Sequence, residues 1–274
     1  MSSTTSLAEP LTFGALLRRH RAGRGMSQER LAREAEISTR HLSCLETGRA
    51  QPSRTMVLVL GSALDLTLRD RNGLLEAAGF VAAYREAGLD APEAAALRQA
   101  VDMVLDGMEP NGAVACDRAW NLLKMNQGAA RLLASFVDVA AAPPEITQNL
   151  VVSTLHPKGM RPSIVNFDEV ASLLLERTRR EWARSPDDPE IDRVRRMVEA
   201  LPDLPRPNVP GGPASGPFLT VHLRRGPLEA RLFTTIATIG TAIDATTEEL
   251  RLETYFPADD ATKRLVADLA ANAT

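Results

Sequence analysis

The stretch Met26–Ser53, MSQERLAREAEISTRHLSCLETGRAQPS, decides the fold of the first third of this chain. Ser27 stands where a helix N-cap belongs, and Leu31, Ala32 and Ala35 follow as an inner stripe. Only Glu36 and Ile37 separate that helix from the next, which Ser38 caps and from which Leu42 and Leu45 point inward. Two helices joined by so tight a turn cross steeply, and Ala32 is small enough to sit at their contact. Outward on the second of the pair stand Thr39, Arg40, Ser43 and Cys44, short or cationic side chains that suit a DNA major groove. Glu36 occupies the turn position that favours Gly, and a non-glycine residue at positive φ carries strain.

Working outward, Phe13, Leu16 and Leu17 at helical spacing mark a preceding helix with Arg18, Arg19, Arg21 and Arg24 on its charged face. Val57, Leu60 and Leu64 mark a following one, and a fifth pattern runs from about Asp70 to Ala78. Charge is unevenly divided. Residues 1–85 hold 12 Arg and no Lys against 8 acidic side chains, giving +4; the rest hold 20 basic and 27 acidic, giving −7. A basic module fused to an acidic one is the footprint expected of a nucleic-acid reader, although +4 is small.

The quoted stretch resembles the XRE (Cro/repressor-type) helix-turn-helix family, and the resemblance covers about residues 12–80. Its most specific piece is LETGRAQPS at 45–53. The resemblance implies that Gln28 holds a backbone phosphate, as do groups near Arg49 and Ser53. It places Ser38, Thr39, Arg40, Ser43 and Cys44 where the family meets DNA, with the last four facing base edges. Double-stranded operator DNA is the implied partner and a homodimer the implied state.

Other function classes find little support. No apolar run approaches the length of a membrane helix, and the N-terminal residues lack the basic and apolar regions of a signal peptide, so a cytoplasmic protein is expected. Two cysteines, Cys44 and Cys116, lie far apart and suit a reducing compartment. His20, His41, His156 and His222 are not at metal-ligand spacing. No nucleophile elbow, zincin or phosphate-loop motif occurs. A non-enzyme without metal or cofactor is expected.

Beyond residue 110 the pattern changes to strand, turn, strand and an Asn126-initiated helix, expected over Ala113–Asp117, Ala119–Met125 and Asn126–Leu133. Long helices are expected at Asp168–Arg184 and Pro189–Leu201. Strands are expected at Phe218–Arg225, Leu228–Ile239 and Glu248–Phe256, and a closing helix at Asp259–Ala271. The Pro- and Gly-rich segment 201–217 reads as a surface loop or lid. Trp120-Asn121, LHPKGMRPSIVNFDEV at 155–170 and TTEELRLETYFPADD at 246–260 resemble the ligand-binding domain of MmyB-like regulators over about residues 110–260. That resemblance implies a PAS-like cavity in a bacterial transcription regulator, with a fatty acyl chain as the ligand type.

The expected organisation is therefore a disordered tail at 1–11, a mainly α five-helix helix-turn-helix bundle at 12–82, a linker helix within 83–109, and an α+β PAS-like domain with an antiparallel sheet at 110–274. Candidate ligand contacts are Trp120, Met125, Phe136, Phe167, Phe218, His222, Arg231, Phe233 and Tyr255, with His222, Arg224 and Arg231 to meet a carboxylate head group. Two readings of this domain stay open. An enclosed pocket on the order of a few hundred Å3 would favour a small apolar ligand. A sheet packed solid by Trp120, Phe167, Phe233 and Tyr255 would favour a dimerisation or protein-interaction module.

Overall fold

The structure is a computed structural model that describes residues 11–139, 141–183, 185, 188–205 and 218–272. The expected tail therefore lies outside the described residues except for Leu11, as do residues 206–217 of the expected lid. The chain divides into two units: residues up to Glu86 together with Thr241–Glu248, and Ala87–Gly240 together with Glu249 onward.

The first unit holds five helices: α1 (Phe13–Gly23), α2 (Gln28–Glu34), α3 (Thr39–Glu46), α4 (Arg54–Ala63) and α5 (Leu68–Ala77). Each starts where a hydroxyl side chain, that of Thr12, Ser27, Ser38, Ser53 and Thr67 in order, accepts a hydrogen bond from a backbone N–H of the first turn. Their inner stripes meet in one core in which Leu17, Leu31, Leu42, Leu45, Leu60, Leu74 and Leu75 are fully buried. Glu36 sits at φ +54, the left-handed conformation that a two-residue turn between α2 and α3 demands. Gly14 marks the closest approach in the bundle. A Cβ there would lie 2.6 Å from the carbonyl oxygens of Leu45 and Glu46, so only glycine lets α1 rest on the end of α3.

The second unit adds α6 (Ala95–Gly107), β1 (Gly112–Cys116), β2 (Leu122–Met125), α7 (Gln127–Phe136), α8 (Pro144–Thr147), α9 (Leu150–Leu155), α10 (Phe167–Trp182), α11 (Pro189–Glu199), β3 (Val221–Arg225), β4 (Leu228–Ala237), β5 (Arg251–Pro257) and α13 (Asp260–Ala271). A further short helix, α12 (Ala245–Glu249), lies between β4 and β5 in sequence. The five strands form one antiparallel sheet in the order β2-β1-β5-β4-β3. The chain is thus a helical N-terminal domain followed by an α+β domain with an antiparallel sheet.

Alternation along the strands assigns the two faces of the sheet. Ala113 and Ala115 of β1 and Leu252 of β5 pack with Val101 and Leu105 of α6, so the helix read from sequence as part of a linker packs on the sheet. The other face carries Val114, Glu253 and Tyr255. Gly128 brings α7 against the start of β1, since a Cβ there would fall 2.5 Å from the Asn111 carbonyl oxygen.

Several expected boundaries shift for identifiable reasons. β2 begins at Leu122 instead of Ala119 because Trp120 has φ +65, which no strand residue adopts. Glu248 lies in α12, and the last strand starts at Arg251. Asn126 and Asp259 are caps, not first helical residues; their carboxamide and carboxylate oxygens accept from Ala129 N and Thr262 N. The helices α8 and α9 were not foreseen, although Pro144 at a first turn and Asn149 as a cap are their signals.

Candidate functional site

The DNA-reading candidates gather on and around α3. Thr39 and Arg40 are exposed, and Ser43 and Cys44 are half-buried on the same helix. Ser38 and Ser53 are exposed caps, accepting from His41 N at 3.1 Å and Met56 N at 3.2 Å. Arg49 is exposed on the turn after α3, where its backbone N–H and that of Ala50 donate to the Cys44 carbonyl. That turn holds the end of the helix in place.

Beneath this surface lies a feature that sequence reading missed. Glu46 is 4% exposed. Its carboxylate accepts from Arg21 Nε at 2.6 Å, from Arg21 Nη2 at 3.0 Å and from Gln28 Nε2 at 2.7 Å, with Arg18 Nε at 3.7 Å. Burial pushes this carboxyl up, but the hydrogen bonds from Arg21 and Gln28 and the charges of Arg21 and Arg18 outweigh it and hold it below the usual carboxylate range. Gln28, the expected phosphate contact, thus gives its amide N–H to Glu46 and ties α2 to the end of α3. The signal was present: Glu46 stands four residues after Leu42 on the buried stripe.

In the second unit a cavity of about 370 Å3 lies between the sheet and α7, α9 and α10. Apolar walls come from Val114 of β1, Leu122 and Met125 of β2, Val221 and Leu223 of β3, Leu232 of β4, Ala129 and Leu132 of α7, Leu150 and Val151 of α9, and Val170, Leu173 and Leu174 of α10. Polar lining groups include Ser153, Thr154, Thr234, Tyr255, Arg177 and Glu253.

Of the ligand candidates read from sequence, Trp120, Met125, Phe218 and Tyr255 line this cavity. The other five lie elsewhere, and strand alternation explains three of them. Val221 and Leu223 face the cavity, so His222 and Arg224 point away; Leu232 and Thr234 face it, so Arg231 and Phe233 point away. On that outer side His222 Nε2 meets Glu229 Oε1 at 2.7 Å, with Arg224 and Arg231 flanking the same carboxylate. Phe233 stacks on Phe256 with centroids 5.4 Å apart. Phe136 is fully buried core, and Phe167 packs under the Arg161 guanidinium.

The cation that does reach the cavity is Arg177. The apolar stripe Val170, Leu173, Leu174 continues onto it at helical spacing, a signal legible in sequence but not weighed as a site. Its guanidinium lies 4.3 Å from the centroid of the Trp120 ring, and that of Arg251 lies 4.5 Å from it. Trp120 Nε1 donates to Glu181 at 2.8 Å. Its left-handed backbone is fixed by Asp117, whose carboxylate accepts from Ala119 N and Asn121 N, and by Asn149 on the Ala119 carbonyl. Burial pushes the Tyr255 hydroxyl and the Cys116 thiol well up, so both stay protonated at neutral pH. Among the described residues no cluster of His, Cys, Asp or Glu has a metal-holding arrangement, and no helix is long and apolar enough to cross a membrane.

Residues 12–74 match a family model described as a helix-turn-helix domain, and residues 97–269 match that of the MmyB-like transcription regulator ligand binding domain. No curated protein matches the chain. With the second match alone covering more than half its length, the chain belongs to the family defined by the MmyB-like transcription regulator ligand-binding domain, here preceded by a helix-turn-helix domain.

Proposed function

We propose that this regulator binds operator DNA as a homodimer through α3 and adjusts its affinity when an aliphatic ligand, a fatty acyl compound, fills the cavity of its α+β domain. The observation that carries the reading is the cavity: about 370 Å3, walled mainly by Leu, Val and Met, with a few polar groups. That volume and lining suit a small amphiphile. They speak against a sheet packed solid, the arrangement a pure dimerisation module would have.

The base contacts fall to Arg40 first, with Thr39, Ser43 and Cys44 beside it; Gln28, Ser38, Arg49 and Ser53 serve the phosphates and the position of α3. The site works where the chromosome is, in the cytosol of a bacterium, and the protein acts by binding and not by catalysis. A route for coupling is present in the chain itself. The segment Thr241–Glu248 belongs to the first unit, and β4 and β5, which flank it in sequence, contribute Thr234, Glu253 and Tyr255 to the cavity wall. A coupling of about 1–3 kcal/mol, roughly 5–150-fold in affinity, is the scale for such a device.

The test is a series of thermal melts of delipidated protein with straight-chain fatty acids of increasing length. Saturation at about a hundred times the dissociation constant stabilises by about 2.7 kcal/mol, and the gain should peak at one chain length. A flat series contradicts the ligand reading.

A further inference from the structure

Two side-chain atoms among the described residues are buried without any hydrogen-bond partner: Nε of Arg177 and Oε2 of Glu253. Both residues line the cavity, one from α10 and the other from β5. Buried polar groups are nearly always paired, so two orphans at one cavity wall call for a partner that the protein does not supply.

Neither side chain is there by looseness. Arg177 lies over the Trp120 ring, which also packs against the Arg251 guanidinium and donates its Nε1–H to Glu181. Glu253 is 7% exposed on a central strand, directly opposite Val114 of β1 and Ile236 of β4. The groups facing its carboxyl are Arg177 from α10, Cys116 from β1, the Thr234 hydroxyl from β4 and Tyr255 from its own strand. Arg177 and Glu253 attract one another, yet no ion pair or hydrogen bond joins them.

Resting on the ligand-binding reading above, we propose that Arg177 and Glu253 clamp the polar end of the aliphatic ligand, Arg177 Nε donating to the head group while Glu253 Oε2 shares one proton with it. A head group that fits must accept one hydrogen bond and take part in a second through a proton. An aliphatic alcohol and an aliphatic carboxylic acid both meet that requirement. The two differ in their response to pH. Burial pushes the Glu253 carboxyl up, with Arg177 and Thr234 opposing, and the protonated form donates its O–H to a ligand oxygen. A hydroxyl can answer either form of Glu253, by accepting from the acid or donating to the carboxylate. A carboxylate ligand needs Glu253 to keep its proton, because two carboxylates in one buried site do not both ionise. Above the pKa of Glu253 the acid must therefore take up one proton from solvent to bind.

The test measures binding of decanoic acid and 1-decanol to the full, delipidated chain by titration calorimetry between pH 6 and pH 9. Decanoic acid should weaken with rising pH, by up to about tenfold per unit once Glu253 ionises, while 1-decanol stays level. Glu253→Gln should flatten the acid's profile, and Arg177→Met should weaken the acid at least about tenfold while affecting the alcohol less. If Glu253→Gln does not fold, the wild-type profiles and Arg177→Met decide. A level profile for decanoic acid, the same slope in Glu253→Gln, or unchanged acid binding in Arg177→Met overturns the clamp while leaving the cavity reading in place. If neither probe binds, both the clamp and the cavity reading are overturned.

Discussion

The backbone N–H of Leu68, the first residue of α5, donates to Oε2 of Glu248 at 2.6 Å. A carboxylate at a helix N-terminus satisfies an orphan donor and complements the helix dipole. Nearby, Ala245 N donates to the Arg85 carbonyl. The segment that makes these contacts is the connection between β4 and β5, so residues that wall the cavity and a residue that caps a helix of the DNA-binding domain belong to one short run of chain.

Glu248→Ala should therefore act twice. Loss of a charged hydrogen bond should destabilise the first unit by about 1–3 kcal/mol, read by urea denaturation. The ratio of DNA affinities with and without ligand should shrink toward one while ligand affinity is retained. An unchanged ratio would remove this segment from the coupling route.

Arg40→Ala and Gln28→Ala should fail differently. Arg40 is exposed on α3, and as the proposed reader of guanine O6 and N7 its loss should cost about 1–3 kcal/mol and relax one position per half-site. Gln28 donates to the buried Glu46, so its loss should weaken all sequences alike and also lower stability. Binding selections on random duplex, paired with melts, separate the two; a uniform loss from Arg40→Ala would assign it to the backbone.

Gly14→Ala tests the close approach of α1 to α3. The added methyl meets two carbonyl oxygens at 2.6 Å and the backbone cannot yield there cheaply. Overpacking of this kind costs about 1–3 kcal/mol. Gly73→Ala, inside α5 with open space around its Cβ, should instead leave stability level or raise it.

Three buried carboxyls contribute to the pH dependence with known sign. Burial pushes Glu46 and Asp188 up, but Arg21 and Gln28 in the first case, and Arg118 with the Ile191 and Glu190 N–H groups in the second, pull them below the ordinary range. A depressed folded-state pKa stabilises above the unfolded value, and that stability is lost as pH falls through the folded one. Both units should weaken as pH drops below about 4. Glu253 has the opposite sign: its raised pKa favours the fold at low pH and the benefit is lost as pH rises. Glu253→Gln should consequently raise the thermal midpoint more at pH 8 than at pH 5, and an equal effect at both would contradict the assignment.

Legibility differed between the two domains. In the first, the Ser27 and Ser38 caps and the inward stripes of α1–α4 could be read because helical signals there are local, with Leu42 and Leu45 marking the inside. What stayed hidden was the partnership of Arg21, Gln28 and Glu46, because an acid on an apolar stripe becomes informative only once its cations are seen to converge. In the second, strand identity was legible but face was not. His222, Arg231 and Phe233 look like pocket residues by type, and only the register of β3 with β4 shows that Val221, Leu223 and Leu232 face the cavity in their place. Arg177 and Glu253 escaped for a related reason: one stands in the charged run Glu176–Arg180 and the other between Arg251 and Thr254, and only the folded chain brings both to one cavity.

The most direct measurement of the central claim is the affinity of the full chain for a duplex selected from a random pool, taken with delipidated protein and again at saturating decanoic acid. One enriched sequence is expected, with a change of about 5–150-fold in its dissociation constant between the two conditions. Equal dissociation constants with the cavity filled and empty, or no enriched sequence, would contradict the claim.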